Sequence, residues 1–365
     1  MRSWVEISLA KIRANYRAVR NLVGDAVDVM PVVKADAYRH GAIEVSRALE
    51  AEGARWLAVS SVEEGMTLRD AGLRSRILVM ADFLPEGRPE LAAYQLTPVI
   101  PSLEDLSAAP VPYHLKIDSG MGRLGTRSSP DVIARAVAAA VASTGIPLEG
   151  LMTHFASSGN YDSKQTEEQL RNFDRVLAAL RHAGLAPRYV HLSGTIPIAY
   201  RRAEAWGNLV RPGHAIYGYI SPARGGPARA LNVAPALTWK ATVLAVKEVE
   251  AGALIGYGGI HRAARPMRIA VLAAGYADGI PHRLGNRGHV IAKGKLAPIV
   301  GAVSMDLTTI DVTACPDLRA GDAVTLLGSE GAVSIDAQQI ARVAGTISYA
   351  VLCGIHARVK RVYLN

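Results

Sequence analysis

Cysteine occurs only twice in 365 residues, at Cys315 and Cys353. Two thiols cannot staple a chain of this length and are not spaced as metal ligands, so the sequence predicts a reducing, cytoplasmic setting. Long hydrophobic runs are missing as well. Half of the residues are hydrophobic, yet no stretch approaches the roughly twenty apolar residues that cross a bilayer. The N-terminus MRSWVEISLAKIRANY interleaves charge with apolar residues where a signal segment would be continuous, so no membrane partner is expected. Aromatics make up 5%, and the net charge of +9 is spread evenly with no basic run, which argues against a nucleic-acid partner. Lysine is scarce, at nine positions, so arginine carries most of the positive charge.

That scarcity draws attention to Lys34. It follows the apolar run Val27 to Val33 inside the segment VKADAYRHG, and such a run suits the interior of a sheet, where an ammonium group is expensive unless it is paired or used in chemistry. A lysine that merely leaves the strand into water is the bland alternative. Tyr38 and His40 close by favour a chemical role.

Eight apolar runs alternate with helical patterns through the first two-thirds of the chain: Val27 to Lys34, Trp56 to Ser61, Arg76 to Met80, Leu96 to Ile100, Pro112 to Asp118, Leu148 to His154, Tyr189 to Ser193 and Asn208 to Gly213. The pattern Ser163 to Ala183 reads as a helix with Asp162 and Ser163 as cap candidates, and Asp131 to Ser143 reads as another. Eight strand-helix units predict an α/β fold, an N-terminal (β/α)8 TIM-like barrel, more than an open doubly wound sheet. After SPARGGP (Ser221 to Pro227) the period changes to strands, over Thr238 to Val249, Met267 to Ala273, His289 to Ile291, Ala297 to Val303, Leu307 to Val312, Ala323 to Leu327 and Val359 to Leu364. One clear helix, Asp336 to Val343, interrupts them. The expected division is a barrel over 1–230 and a mostly β domain over 231–365, with the first strand, about residues 2–8, a candidate to join the second domain.

Functional residues of such a barrel lie where strands meet the loops that follow, and phosphate is commonly held after the last two strands. Those positions carry Lys34 and Tyr38, Lys116 with Arg123, His154, His191 with Gly194 and Thr195, and Arg211 with Gly213 and His214. A lysine can condense with a carbonyl, glycine and threonine backbones plus a tyrosine hydroxyl can cradle phosphate, and an arginine can bond a heteroaromatic nitrogen or a carboxylate. Each residue alone has a plainer reading: turn glycines, a satisfied structural histidine, and Lys116 and Arg123 paired to Asp118. Their shared position at one face carries the inference.

The motifs VVKADAYRHG, HLKIDSGMGRLG, THFA, RPGHAIYG, IGYGG, GYADG, GAVSMD and TISYAV occur in this order along the chain, which over essentially its full length resembles the alanine racemase family of pyridoxal 5'-phosphate enzymes. The resemblance implies a barrel followed by a β domain, a homodimer whose sites take residues from both chains, and D-alanine made for peptidoglycan. It implies that Lys34 holds the cofactor covalently and that Tyr38, Thr195, Gly213, His214 through its backbone, and Tyr349 bind its phosphate. Arg123 would face the phenolic oxygen and Arg211 the pyridine nitrogen, with His154 between Arg211 and the second base. Lys34 and Tyr257 of the partner subunit would be the two bases, Met305 and Tyr276 would touch substrate beside Arg123, and Lys116 would be a candidate for carbamylation. No metal is implied.

Five positions depart from the family's pattern. Arg39 stands where Gly is usual, Gly194 where Asn is common, Thr195 where Ser is common, Ala302 where Arg is common, and His214 where an aliphatic residue is common; only the Thr change is chemically mild. These changes leave room for the alternative of a serine or broad-specificity racemase of the same fold. A non-catalytic cofactor-binding protein is a more distant alternative, since single-barrel proteins of that kind lack the second domain and the IGYGG tyrosine.

Overall fold

Two compact units emerge from the computed structural model, which describes all residues Met1–Asn365. One comprises Lys11–Ala37 and Ala42–Ala234; the other comprises Met1–Ala10, Tyr38–Gly41 and Pro235–Asn365. No helix is long and apolar enough to cross a membrane, and both cysteines are free thiols.

Strand β1 (Ser3–Ser8) leads into a helix over Leu9–Val23. The first unit then holds the parallel strands β2 (Asp28–Val29), β3 (Trp56–Val59), β4 (Arg76–Val79), β5 (Leu96–Ile100), β6 (Tyr113–Lys116), β7 (Leu148–Met152), β8 (Tyr189–His191) and β9 (Leu209–Val210). Strands β3 to β8 pair in chain order, and β2 pairs with β9. Backbone bonds close the ring on both sides: Ala58 donates to Pro31 and Val33 to Ala58 at one seam, while Asn208 donates to Val190 and Arg211 to Ser193 at the other. Eight strands therefore form a closed parallel barrel. Runs such as WLAV, LTPVI and YHLK are buried at every residue, as strands covered on both faces must be.

The first and last barrel strands are shorter than their apolar runs. The runs 27–34 and 208–213 pair regularly only over two residues each, because Pro31 and Pro212 lack the amide a ladder needs; their carbonyls still accept, from Ala58 and Val32. Of the two expected cap residues only Ser163 reaches the helix, its hydroxyl accepting from the Gln165 amide at 3.2 Å. The helix starts at Gln165 with Lys164 before it, and Asp162 pairs with Arg224 instead.

In the second unit β1 is the parallel neighbour of the last strand and the antiparallel neighbour of β10 (Leu237–Val249). Burial alternates along the first half of β10, placing Leu237, Trp239, Ala241 and Val243 inside. A bulge between Val243 and Ala245 lets the strand's second half pair elsewhere. The remaining strands are β11 (Leu254–Ile255), β12 (His261–Arg262), β13 (Met267–Leu272), β14 (His289–Ala292), β15 (Lys295–Pro298), β16 (Thr308–Asp311), β17 (Ala323–Glu330), β18 (Val333–Ile335) and β19 (Lys360–Leu364). The run Ala297 to Val303 is not one strand: pairing with β14 ends at Pro298, Ile299 makes a single bridge to Ile310, and residues 300–307 form a loop. The helix over Ala337–Ala344 opens with a capping box between Asp336 and Gln339.

Candidate active site

Lys34 leaves the carboxyl end of β2 and opens a turn of unusual hand. Ala35, Asp36, Ala37, Tyr38 and Arg39 all have φ between 52° and 65°, a left-handed conformation that costs a non-glycine residue about 1–2 kcal/mol. Strain of this kind persists where surrounding bonds over-determine it. Here the Ala35 amide donates to Glu64 Oε1 at 2.6 Å and the Ala42 amide to Asp36 Oδ1 at 2.8 Å, while Tyr217 donates to the Val32 carbonyl at 2.8 Å. Lys34 is thereby held at the rim, half-buried.

Arg39 is accommodated within the β unit. Its Nε donates to the Cys353 carbonyl at 3.4 Å, at the carboxyl end of the helix Ser348–Cys353, where a cation is favoured. Its φ of 65° gives a physical reason for glycine at this position. Arg39→Gly is expected to raise stability by about 1 kcal/mol; an unchanged or lower midpoint in chemical denaturation would contradict this.

Four cations gather at the carboxyl ends of the barrel strands. Lys116, ending β6, is buried, and its ammonium falls to about 8 because burial removes water and Arg123, Arg211 and Lys34 add positive charge. The nearby carboxylate, Asp118, is already committed. It accepts from Arg127 at 2.7 Å and from the amides of Gly120, Met121 and Gly122, which outweigh its burial and hold it down to about 2. Lys116 and Arg123 therefore do not form the ion pairs that their spacing from Asp118 allowed. Arg123 lies exposed on the loop that Asp118 pins.

Arg211 is fully enclosed, and every contact it makes is as a donor. Its Nη1 donates to His191 Nδ1 and the His191 carbonyl, both at 2.8 Å, and its Nη2 to the carbonyls of Thr153 (2.7 Å) and Leu192 (3.0 Å). Nη2 also reaches His154 Nδ1 at 3.3 Å. Burial lowers Arg211 to about 9, still protonated at neutral pH. His154, dehydrated and beside Arg211, Arg123, Lys116 and Lys34, falls to about 3; it is neutral, with its proton on Nε2 because Nδ1 accepts. Gln169, buried on the helix Gln165–His182, donates to the His154 carbonyl at 3.0 Å and accepts from Ala156, fixing the end of β7.

Thr195 begins the short helix after β8, and its hydroxyl accepts from the amides of Gly213 and Ala215, both at 3.2 Å. With both lone pairs used, the O–H is left to donate. The His214 ring is buried and stacked on Tyr219 at 5.1 Å. A Cβ on Gly194 would meet His154 Cε1 at 3.5 Å, an ordinary contact, so the glycine leaves space beside that histidine.

The remaining predicted residues belong to the β unit. Tyr38 and Tyr349 face each other with ring centroids 6.1 Å apart, and burial together with Tyr349 raises the Tyr38 phenol well above its ordinary value. Tyr276 and Met305 are brought together by backbone bonds, Tyr276 to Ser304 at 3.0 Å and Ala277 to Met305 at 2.9 Å. Gly275 permits this approach: a Cβ there would lie 2.3 Å from the Ser304 carbonyl oxygen. Tyr257 follows Gly256, which packs against Ala302, and its side chain is 76% exposed; Met305 is 54% exposed.

Comparison with known proteins matches residues 7–222 to the family model "Alanine racemase, N-terminal domain" and residues 236–363 to "Alanine racemase, C-terminal domain". An alanine racemase of Halothermothrix orenii is 40% identical over 100% of this chain and 97% of its own length, and one of Carboxydothermus hydrogenoformans is 38% identical over 99% of each. The crystal structure of alanine racemase from Streptomyces lavendulae superposes with a TM-score of 0.91 at 33% identity, covering 100% of this chain and 97% of that one. The alanine racemase of Bartonella henselae, solved with covalently bound pyridoxal phosphate, superposes at 0.87 with 26% identity over the whole of both chains.

Proposed function

This chain belongs to the alanine racemase family, and from that premise we propose that it interconverts L- and D-alanine with pyridoxal 5'-phosphate, using Lys34 and the partner subunit's Tyr257 as its two bases. The carrying observation is the cluster of Lys34, Lys116, Arg123 and Arg211, whose nearby carboxylate, Asp118, is already bonded to Arg127. Four cations without a free counter-charge fit a site that takes anions: a cofactor phosphate, a phenolate and a substrate carboxylate.

When bound, the cofactor supplies a carbonyl that condenses with amines and a ring that draws electrons from the α-carbon of an amino acid. The chain's own residues do the rest. Lys34 would anchor the cofactor and, when free of it, would take or return the α-proton on one face. The phosphate would be met by the Thr195 hydroxyl, the backbone at Gly213 and His214, and the phenols of Tyr38 and Tyr349. Arg211 would offer N–H to the pyridine nitrogen and keep its own proton, which would leave the ring a moderate electron sink suited to a prompt return of the proton. His154 presents Nε2–H, and a hydrogen bond from it would favour the ionised form of a phenol.

The second base is assigned to a partner chain. Tyr257, Met305, Tyr276, Leu254 and Ile260 are all exposed on the β unit, an apolar surface of the kind that a second copy covers. In a bacterial host the D-alanine made this way would feed peptidoglycan.

A panel of L-amino acids incubated with holoenzyme in deuterated water tests the substrate. Alanine is expected to gain deuterium at Cα fastest; serine or lysine exchanging as quickly would sink the alanine assignment. Lys116 is also proposed as a carbamylation site, a reaction that would replace one of the four cations by an anion: an amine with a pKa of about 8 has a growing neutral fraction as pH rises through that value and so reacts with carbon dioxide. Protein equilibrated with ¹³C-bicarbonate is expected to show one carbamate resonance that Lys116→Ala lacks; its presence in that variant would place it elsewhere.

A further inference from the structure

The barrel interior below Arg211 is polar, which is unusual for a layer normally filled by branched aliphatics. His114 of β6 and His191 of β8 are fully buried, with His114 Nδ1 2.8 Å from His191 Nε2. His114 Nε2 has no hydrogen-bond partner and lies 3.8 Å from Glu149 Oε2. Glu149 in turn accepts both guanidinium nitrogens of Arg76, at 2.8 and 2.6 Å.

The proton positions along this line follow by elimination. Arg211 can only donate, so His191 Nδ1 is an acceptor and carries no proton. The one proton of that ring is then on Nε2 and is donated to His114 Nδ1. His114 Nδ1 is therefore an acceptor too, which places its proton on Nε2, aimed at Glu149. Neither ring can become an imidazolium without breaking the line. Burial lowers both histidines below their ordinary value, in the same direction.

Two sequence features make the line possible. Tyr113 pairs with Leu148 and His114 with Gly150, so Glu149 is the extra residue of a β-bulge, a device that re-aims a side chain. Gly150 leaves the space: a Cβ there would sit 2.5 Å from the His114 ring.

We propose that Glu149 is a positioning residue for Arg211: at the far end of the line its carboxylate favours the Nε2–H form of His114 that the order set by Arg211 requires, and so helps hold the guanidinium in one orientation. Arg76 neutralises Glu149 at one end of the line, which leaves one net positive charge, that of Arg211, at the other. The groups facing it are Arg76 from β4, Tyr189 from β8, Lys116 from β6 and Arg211 itself, with the Trp56 ring against His114. The functional consequence rests on the racemase reading; the proton positions do not.

The test is ¹⁵N NMR of imidazole nitrogens in the cofactor-free protein, alongside kinetics of the holoenzyme. In the wild type both rings are expected to be neutral Nε2–H tautomers from pH 5.5 to 9. Glu149→Gln, whose amide can donate to His114 Nε2 and compete with the order set by Arg211, is expected to give His114 a mixture of tautomers and to lower kcat about tenfold with KM unchanged, while Glu149→Asp, which keeps the charge, restores both. An imidazolium or Nδ1–H form in the wild type overturns the proposal. So does a Glu149→Gln protein with wild-type spectrum and kcat, or a Glu149→Asp protein that behaves like the amide. Absence of alanine turnover in the wild type would remove the racemase reading and leave the spectra to decide the tautomers.

Discussion

Tyr257→Phe is expected to lower racemisation starting from L-alanine by roughly three orders of magnitude, within the range lost with one general acid–base group, while the yellow cofactor adduct persists. Inversion at the α-carbon needs a proton removed from one face and one returned to the other, and a single base would tend to return the proton it took. By family resemblance Lys34 serves the D-enantiomer and Tyr257 the L-enantiomer. The variant should therefore keep deuterium exchange at Cα of D-alanine and lose it for L-alanine. That asymmetry separates loss of a base from general damage. Because the ring is kept and only a hydroxyl is lost, the melting temperature should move little. L-alanine turnover within twofold of wild type would end the two-base assignment.

Under the same proposal a phenol would have to act as a base. Tyrosine ordinarily titrates near 10, so a basic phenolate needs help. His154 is neutral, held with Nε2–H outward by Arg211, and Arg211 is in turn oriented by His191 and three carbonyls. A phenol reaching His154 would meet a hydrogen-bond donor backed by four cations. The arrangement favours loss of its proton without requiring a histidine that is itself charged.

How much of this was legible depended on the kind of signal. The eight barrel strands announced themselves because each is buried on both faces, and strand ends alone singled out Lys34, Lys116, His154, Thr195 and Arg211. The left-handed turn at residues 35–39 was not legible, since no glycine stands in it until Gly41 and its bonds come from Glu64, Asp36 and the neighbouring strand. Nor was the break at Pro298, where an apolar run continues past the end of its pairing partner. His114 and Glu149 were missed for a different reason. They lie inside strands, where periodicity sees an apolar run, and the bulge that turns Glu149 inward exists only in the register between β6 and β7. A glutamate beside glycine in LEGLM was the one hint in the sequence.

The proposed sharing of each site between two chains makes a sharper prediction than any single variant. Lys34→Ala and Tyr257→Phe chains should each be nearly inactive as homodimers, because every site would lack either its anchor or its second base. In a mixed dimer with two-fold symmetry, one site collects both lesions and the other collects none. Random reassortment makes half the dimers mixed, each with one intact site of two, so about a quarter of wild-type activity should return. Dimers purified through two different tags should show about half. Dual-tagged mixed dimers no more active than their parents would show that Lys34 and Tyr257 act from the same chain. Dilution gives an independent handle, since a barrel separated from its partner's Tyr257 keeps the cofactor but not the second base. Specific activity should therefore fall with protein concentration at constant cofactor, and the adduct absorbance per chain should not.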